Sequence, residues 1–245
     1  MESVRLNKYL AQCGICSRRE ADQMIGEGRV VVDGVVAKTG MKLDGTERVL
    51  VDGKMVTPQE GKVVLLYHKP VGVVCTKEDI HAKRTLSTEI DYPIRVTYAG
   101  RLDKDSRGLL LLTNDGDLID QMMRGRNEHE KEYHVEVNKE VTPDFLKKMS
   151  QGVYLKELEI TTRKCEVRKT GRTSFVIVLT QGVNRQIRRM CDALGYRVKD
   201  LFRTRVVNLE IGRIPEGQFR EATQEEIKAL QEALKKENER NIEEE

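Results

Sequence analysis

The 245-residue chain has no tryptophan, and only 4% of its residues are aromatic, so any ring that serves a site is one of few candidates. It lacks an apolar run near the ~18 residues that a membrane span requires. Met1 to Tyr9 contains no apolar block behind a basic start, so no secretory signal is expected. The five cysteines are odd in number and without framework spacing, which suits a reducing, cytoplasmic setting better than a disulfide scaffold. There is no glycine-rich phosphate loop and no dinucleotide fingerprint, which argues against nucleotide-driven chemistry. Cys13-Gly14-Ile15-Cys16 has redox or zinc-site spacing, but Cys75, Cys165 and Cys191 stand alone and supply no second pair. The pair falls between two short helices and reads as small buried side chains at their junction. Asp103, Asp105 and Gly108 match positions one, three and six of a calcium loop. Arg107 at five and Asn114 at twelve remove the oxygen donors, so no metal is expected.

Charge is plentiful: 34% of residues are charged and the net is only +3. Its distribution is uneven. Gln224 to Glu245 holds eight acids and four bases, whereas Asn184 to Arg205 holds seven bases against Asp192 and Asp200. A concentrated basic stretch beside an acidic tail fits a protein that grips phosphates, although a solvated charged face has the same composition.

Leu6 and Leu10 lie four apart on a short helical pattern that Gly14 ends. Ser17 stands three before Glu20, the spacing of a capping box, and opens a second helix with Ala21, Met24 and Ile25 inward. Asp33-Gly34 and Asp52-Gly53 each separate short valine-rich runs, a strong hairpin signal. Arg5-Leu6-Asn7-Lys8-Tyr9-Leu10, Ser17-Arg18-Arg19-Glu20-Ala21 and Gly28-Arg29-Val30-Val31-Val32-Asp33-Gly34 together resemble the S4-type RNA-binding domain over residues 3 to 50. The resemblance implies that Lys8, Arg18, Arg19 and Arg29 line an RNA-backbone surface. Taken alone, Arg18 and Arg19 could equally decorate a capped helix.

Pro58 to Gly61 reads as a linker, and Val63 to Tyr67 as a strand buried on both faces. Leu109 to Leu112 forms another such strand, Leu118 to Met123 a helix, and Glu132 to Val137 an alternating strand. Thr142-Pro143 starts a helix, two strands flank Thr170-Gly171, and a helix from Arg185 to Leu194 stops at Gly195. Mixed strands with interspersed helices point to an α+β domain. A capping box at Thr223 and Glu226 opens a last helix with Ile227, Leu230 and Leu234. The expected organisation is an S4-type domain over 1–60, a catalytic domain over 61–233 and a charged, disordered tail over 234–245.

By spacing alone, Asp103 between Arg101 and Lys104 reads as an ordinary ion-paired aspartate. The wider set changes that. His68-Lys69-Pro70-Val71-Gly72, Gly100-Arg101-Leu102-Asp103, Gly108 to Gly116, Lys131-Glu132-Tyr133 and Asn184-Arg185-Gln186-Ile187-Arg188-Arg189-Met190 occur in the order of the ribosomal small-subunit branch of pseudouridine synthases. The chain resembles this family over residues 3 to 223, and two details, Asp103-Lys104-Asp105-Ser106 and His129 to Tyr133, resemble a member acting on large-subunit RNA. His68 stands where relatives commonly have asparagine, and Ser106 where threonine is common.

The resemblance implies a mixed, mainly antiparallel sheet. It implies Asp103 as catalytic aspartate, Tyr133 as the tyrosine that packs on the target base, and Arg188 as the basic residue that pairs with the aspartate. Lys69, Arg101, Arg185 and Arg189 join the amino-terminal basic residues as expected RNA contacts. No cofactor is implied, since the isomerisation neither oxidises nor consumes anything. The expected partner is ribosomal RNA, with 23S RNA favoured, or a pre-ribosomal particle, bound by a monomer without a membrane. Small-subunit 16S RNA and tRNA are the alternative substrates. A ribosome-associated RNA-binding protein without activity is the rival reading, and it would leave Asp103, Tyr133 and Arg188 as coincidence.

Overall fold

The computed structural model describes residues 3–59, 61–76, 84–123 and 129–243, with side chains as far as Lys235. The chain divides into two compact units. The first comprises Met1–Val63, Tyr92–Thr97 and Thr113–Gly116, and the second comprises Val64–Asp91, Tyr98–Leu112 and Asp117–Glu245. Two later segments thus belong to the first unit, a return of the chain that no local pattern announces.

In the first unit, α1 (Leu6–Gln12) precedes α2 (Arg18–Gly26). The capping box forms: Ser17 N donates to Glu20 Oε2 at 2.6 Å and Glu20 N to Ser17 Oγ at 3.2 Å. The antiparallel strands lie in the order Val35–Val36, Val30–Val32, Val49–Val51, Lys54–Met55. Both hairpin turns put two successive residues at positive φ: Asp33 (49°) and Gly34 (83°), then Asp52 (49°) and Gly53 (77°). That is the turn whose twist suits a two-residue hairpin. One face of the sheet closes over the helices, burying Val30, Val32, Val49 and Val51 against Leu6, Leu10, Ala21 and Ile25. Cys13 and Cys16 are buried at the helix junction. Burial, then the neighbouring Cys16, pushes the Cys13 thiol up to about 12, so Cys13 is no ready nucleophile.

The second unit is built on a sheet of nine strands among the described residues. Its main path runs Glu166–Lys169, Ser174–Leu179, Lys131–Val137, Val198–Val206, Arg107–Thr113, Val64–Lys69, Phe219–Glu221. Val64–Lys69 is buried at all six positions and Leu109 to Leu112 at all four, as continuous apolar runs require. The sheet is mixed and mostly antiparallel. Val198–Val206 pairs in parallel with Arg107–Thr113 through Phe202↔Arg107 and Arg203↔Gly108. Gly108 has φ 115°, and a Cβ there would strike the main-chain oxygen and nitrogen of Arg203. Only glycine lets these two backbones meet so closely.

After the one-turn α3 (Leu86–Glu89) come α4 (Gly116–Met123), α5 (Pro143–Gln151), α6 (Gln186–Ala193) and α7 (Gln224–Glu243). Thr142 caps α5 by accepting from Phe145 N, with Pro143 in the first turn. Phe145 and Met149 of α5 and Ile187, Met190 and Cys191 of α6 pack with Val135, Phe175, Ile177 and Leu201 of the sheet. Leu118 and Met122 of α4 and Leu230 and Leu234 of α7 pack with Leu66, Leu109 and Leu111. The expectation of a disordered tail from 234 needs correction. Leu234 is fully buried and α7 continues to Glu243. Glu, Lys, Arg and Gln are good helix formers even where no apolar stripe remains.

Candidate active site

Asp103 sits on a loop leading into the strand Arg107–Thr113, and buried groups tether that loop at several points. Gly72 N donates to Lys104 O at 2.7 Å, and Ser106 N to Asp103 O at 3.1 Å. The Cys75 thiol donates to Leu102 O at 3.1 Å. Lys69 is fully buried, and its Nζ donates to Pro70 O at 2.9 Å and Ser106 O at 2.8 Å. Arg203, 2% exposed, donates through Nε to Leu109 O at 2.6 Å and through Nη1 to Arg101 O at 3.2 Å. Two cations thus lie beneath the aspartate and hold carbonyls before and after it. Burial lowers the Lys69 pKa to about 8; the repulsion of Arg203 adds to this, while Cys75, Asp103 and Asp105 oppose it.

Asp103 itself is one-third exposed and opens on a cleft of about 450 Å³. Tyr133, Arg101, Asn184 and Arg185 line the same cleft. Tyr133 lies on the strand Lys131–Val137, between Ile177 and Arg203 of its neighbours. Arg185 is the amino-terminal cap of α6, with a left-handed backbone (φ 53°, ψ 33°). Its guanidinium forks onto Asp105 at 2.9 and 2.8 Å, and its Nη1 lies 4.0 Å from Asp103 Oδ2. Arg188, one turn along α6, donates Nη2 to Asp105 O at 2.6 Å and to Ser106 Oγ at 3.3 Å. Its Nε is 3.4 Å from Asp105 Oδ2, an ion-pair distance that falls short of hydrogen-bond geometry. The Asp105 carboxyl is held below the usual carboxylate range, chiefly by its bonds from Arg185.

Residues 63–193 match the RNA pseudouridylate synthase family and residues 4–49 the S4 domain. The chain is 45% identical over 227 residues to the dual-specificity RNA pseudouridine synthase RluF of Escherichia coli strain K12, covering 92% of this chain and 77% of that protein. The chain belongs to the RNA pseudouridylate synthase family. It is 35% identical over 232 residues to the ribosomal large subunit pseudouridine synthase B of Bacillus subtilis, covering 92% of this chain and 95% of that one. A crystal structure of a pseudouridylate synthase superposes with a TM-score of 0.69 at 27% identity, over 93% of this chain and all of that one. The expected fold, a leading S4 domain and a synthase domain with a mixed sheet, is therefore that of an RNA-modifying isomerase.

Within this synthase, Asp103 and Tyr133 are brought to one cleft, while Arg188 holds Asp105 and Ser106 and forms no ion pair with Asp103. The cation paired with Asp103 is Arg185. Lys69, expected on the RNA surface, cannot reach a phosphate: it is buried and bonded to main-chain carbonyls. Arg29 is exposed, but its guanidinium is taken by Asp52 and Glu27. Arg189 is held by Glu157 and Asn184 O. Lys8 is half-buried, while Arg18, Arg19 and Arg101 are exposed. The basic stretch 184–205 is divided between α6 and an interior strand. Arg203 faces carbonyls, and Arg205 engages Val207 O and Glu130. Sequence reasoning missed Arg203 and Asp105 as site residues. Their signal lies in partners about ninety and eighty positions away.

Proposed function

We propose that this synthase isomerises a specific uridine of large-subunit 23S ribosomal RNA to pseudouridine, with Asp103 as covalent catalyst. The observation that carries the reading is the convergence of Asp103, Tyr133 and the positive charge of Arg185 on one cleft. The reaction breaks the bond from N1 of uracil to the sugar C1′, turns the base and joins C5 to C1′. The proton on C5 is lost and N1 gains one, so atoms balance without a co-substrate. A carboxylate that attacks sugar or base and later departs splits the exchange into two easier steps. The Arg185 guanidinium, 4.0 Å from Asp103 Oδ2, places positive charge beside it.

The target base must leave its stack, at a cost of a few kcal/mol. The face of Tyr133 offsets about 1–3 kcal/mol of that by stacking. Arg188 supports the loop through Asp105 and Ser106, and Arg101 and Arg185 stand at the cleft where the sugar-phosphate backbone would pass. Names of relatives support the substrate class: one is a large-subunit synthase and another is called dual-specificity. The enzyme would work as a cytoplasmic monomer on ribosomal RNA or a precursor particle.

The test is incubation of the purified chain with unmodified 23S RNA, with 16S RNA and with tRNA, without added cofactor, followed by pseudouridine mapping. Conversion of one or a few uridines in 23S RNA is expected, and Asp103→Asn should bind RNA but not turn over. Turnover by that variant would overturn the role of Asp103. Binding without conversion by the unaltered chain would leave an RNA-binding protein.

A further inference from the structure

Arg185 stands between two carboxylates and is shared unequally. Both terminal nitrogens fork onto Asp105, while only Nη1 comes within 4.0 Å of Asp103. Asp105 also draws in Arg188, which sits 3.4 Å from its carboxylate and 2.6 Å from its carbonyl. A planar guanidinium can cover both oxygens of one carboxylate in a single bidentate contact. A nucleophilic carboxylate covered in that way would have neither oxygen ready for attack. The left-handed backbone of Arg185 is uncommon for a residue with a side chain and has to be held by its surroundings. The fork onto Asp105 is the contact that fixes where this guanidinium lies.

We propose that Asp105 is a positioning residue that holds the Arg185 fork off Asp103, leaving both Asp103 oxygens open to the substrate while the positive charge stays close. The inference rests on Asp103 being the catalytic carboxylate. Without the Asp105 side chain, Arg185 falls onto Asp103 and covers it. Arg188 keeps its bond to the main-chain carbonyl of residue 105 in that case, so the loop retains a tether.

The experiment uses the full chain, an unmodified 23S RNA fragment and single-turnover kinetics across RNA concentrations. Asp105→Ala should lower the saturated rate by about tenfold, a difference of ~1.4 kcal/mol in barrier. Its half-saturating RNA concentration should stay the same or fall, because a negative charge has been removed. Asp105→Glu should restore most of the rate. The decisive variant is the pair Asp105→Ala with Arg185→Gln, which should react as fast as Arg185→Gln alone because no fork remains to cover Asp103. A loss of fold caused by Asp105→Ala would persist without the fork, so a double variant slower than Arg185→Gln alone overturns the proposal. A wild-type rate in Asp105→Ala overturns it too. Asp103→Asn in the same assay separates the two claims: its activity would remove the underlying reading, whereas its inactivity beside a fast Asp105→Ala would remove only this one.

Discussion

The ammonium group of Lys69 donates to the main-chain carbonyl of Ser106 at 2.8 Å, three residues past the aspartate that the cleft exposes. This bond makes a strand residue of the interior part of the active-site loop. The Lys69 pKa falls from 10.5 to about 8 on folding. Below pH 8 the lysine is charged in both states, and its burial penalty is fully present. Between about 8 and 10.5 the unfolded chain binds more protons than the native one, so stability rises with pH. We expect Lys69 to add about 3 kcal/mol across that window. Urea titrations at pH 7 to 10.5 should show this upward component in the native chain and its loss in Lys69→Met. The same slope in both would refute it.

Gly108→Ala should be severely destabilising. The new methyl group meets the main chain of Arg203, which cannot swing away as a side chain could. The positive φ adds strain of about 1–3 kcal/mol. A fall of more than about 3 kcal/mol in unfolding free energy, or insoluble protein, is the expected result. A melting temperature within a few degrees of wild type would contradict the close approach.

RNA affinity should depend unequally on the amino-terminal arginines. Arg19 is exposed in the first turn of α2, whereas Arg29 is already bound by Asp52 and Glu27. Arg19→Ala should weaken binding and flatten the plot of log affinity against log salt. The slope should change by about 0.7 for each phosphate of single-stranded RNA that the variant no longer neutralises. Arg29→Ala should change that slope little. Filter binding at several salt concentrations measures both, and a larger effect at Arg29 would reverse the assignment.

The cysteines should resist alkylation in the native state. Burial raises Cys13 and Cys191 to about 12 and Cys165 to about 11. At pH 8 a thiol of pKa 12 is ionised to about one part in ten thousand, and the thiolate is the reactive form. Mass spectrometry after iodoacetamide treatment should find these three unlabelled until denaturant is added. Rapid labelling of Cys13 would reopen a redox role for its pair with Cys16.

The elements governed by neighbours in sequence were legible without a structure. Asp33-Gly34 and Asp52-Gly53 make their turns because these dipeptides tolerate positive φ, and Ser17 and Glu20 cap α2 through contacts three residues apart. The strand Val198–Val206 was not legible, because Lys199, Asp200, Arg203 and Arg205 disguise it as a charged surface. Arg203 is interior only because carbonyls of Leu109 and Arg101 receive it. Asp103 stood out through its motif, not its local spacing. The partner expected for it was one helical turn away, since the left-handed backbone at Arg185 brings that arginine nearer than Arg188.

The parallel meeting of Arg107 with Phe202 joins positions ninety-five residues apart. During synthesis Asp103 therefore leaves the ribosome long before Arg203, whose guanidinium closes the two ends of its loop. A nascent or truncated chain ending short of Arg203 carries Asp103 without its anchor, and the strand of Tyr133 without the neighbour that flanks it. Competence to modify RNA is thus deferred until Arg203 and its strand have been made.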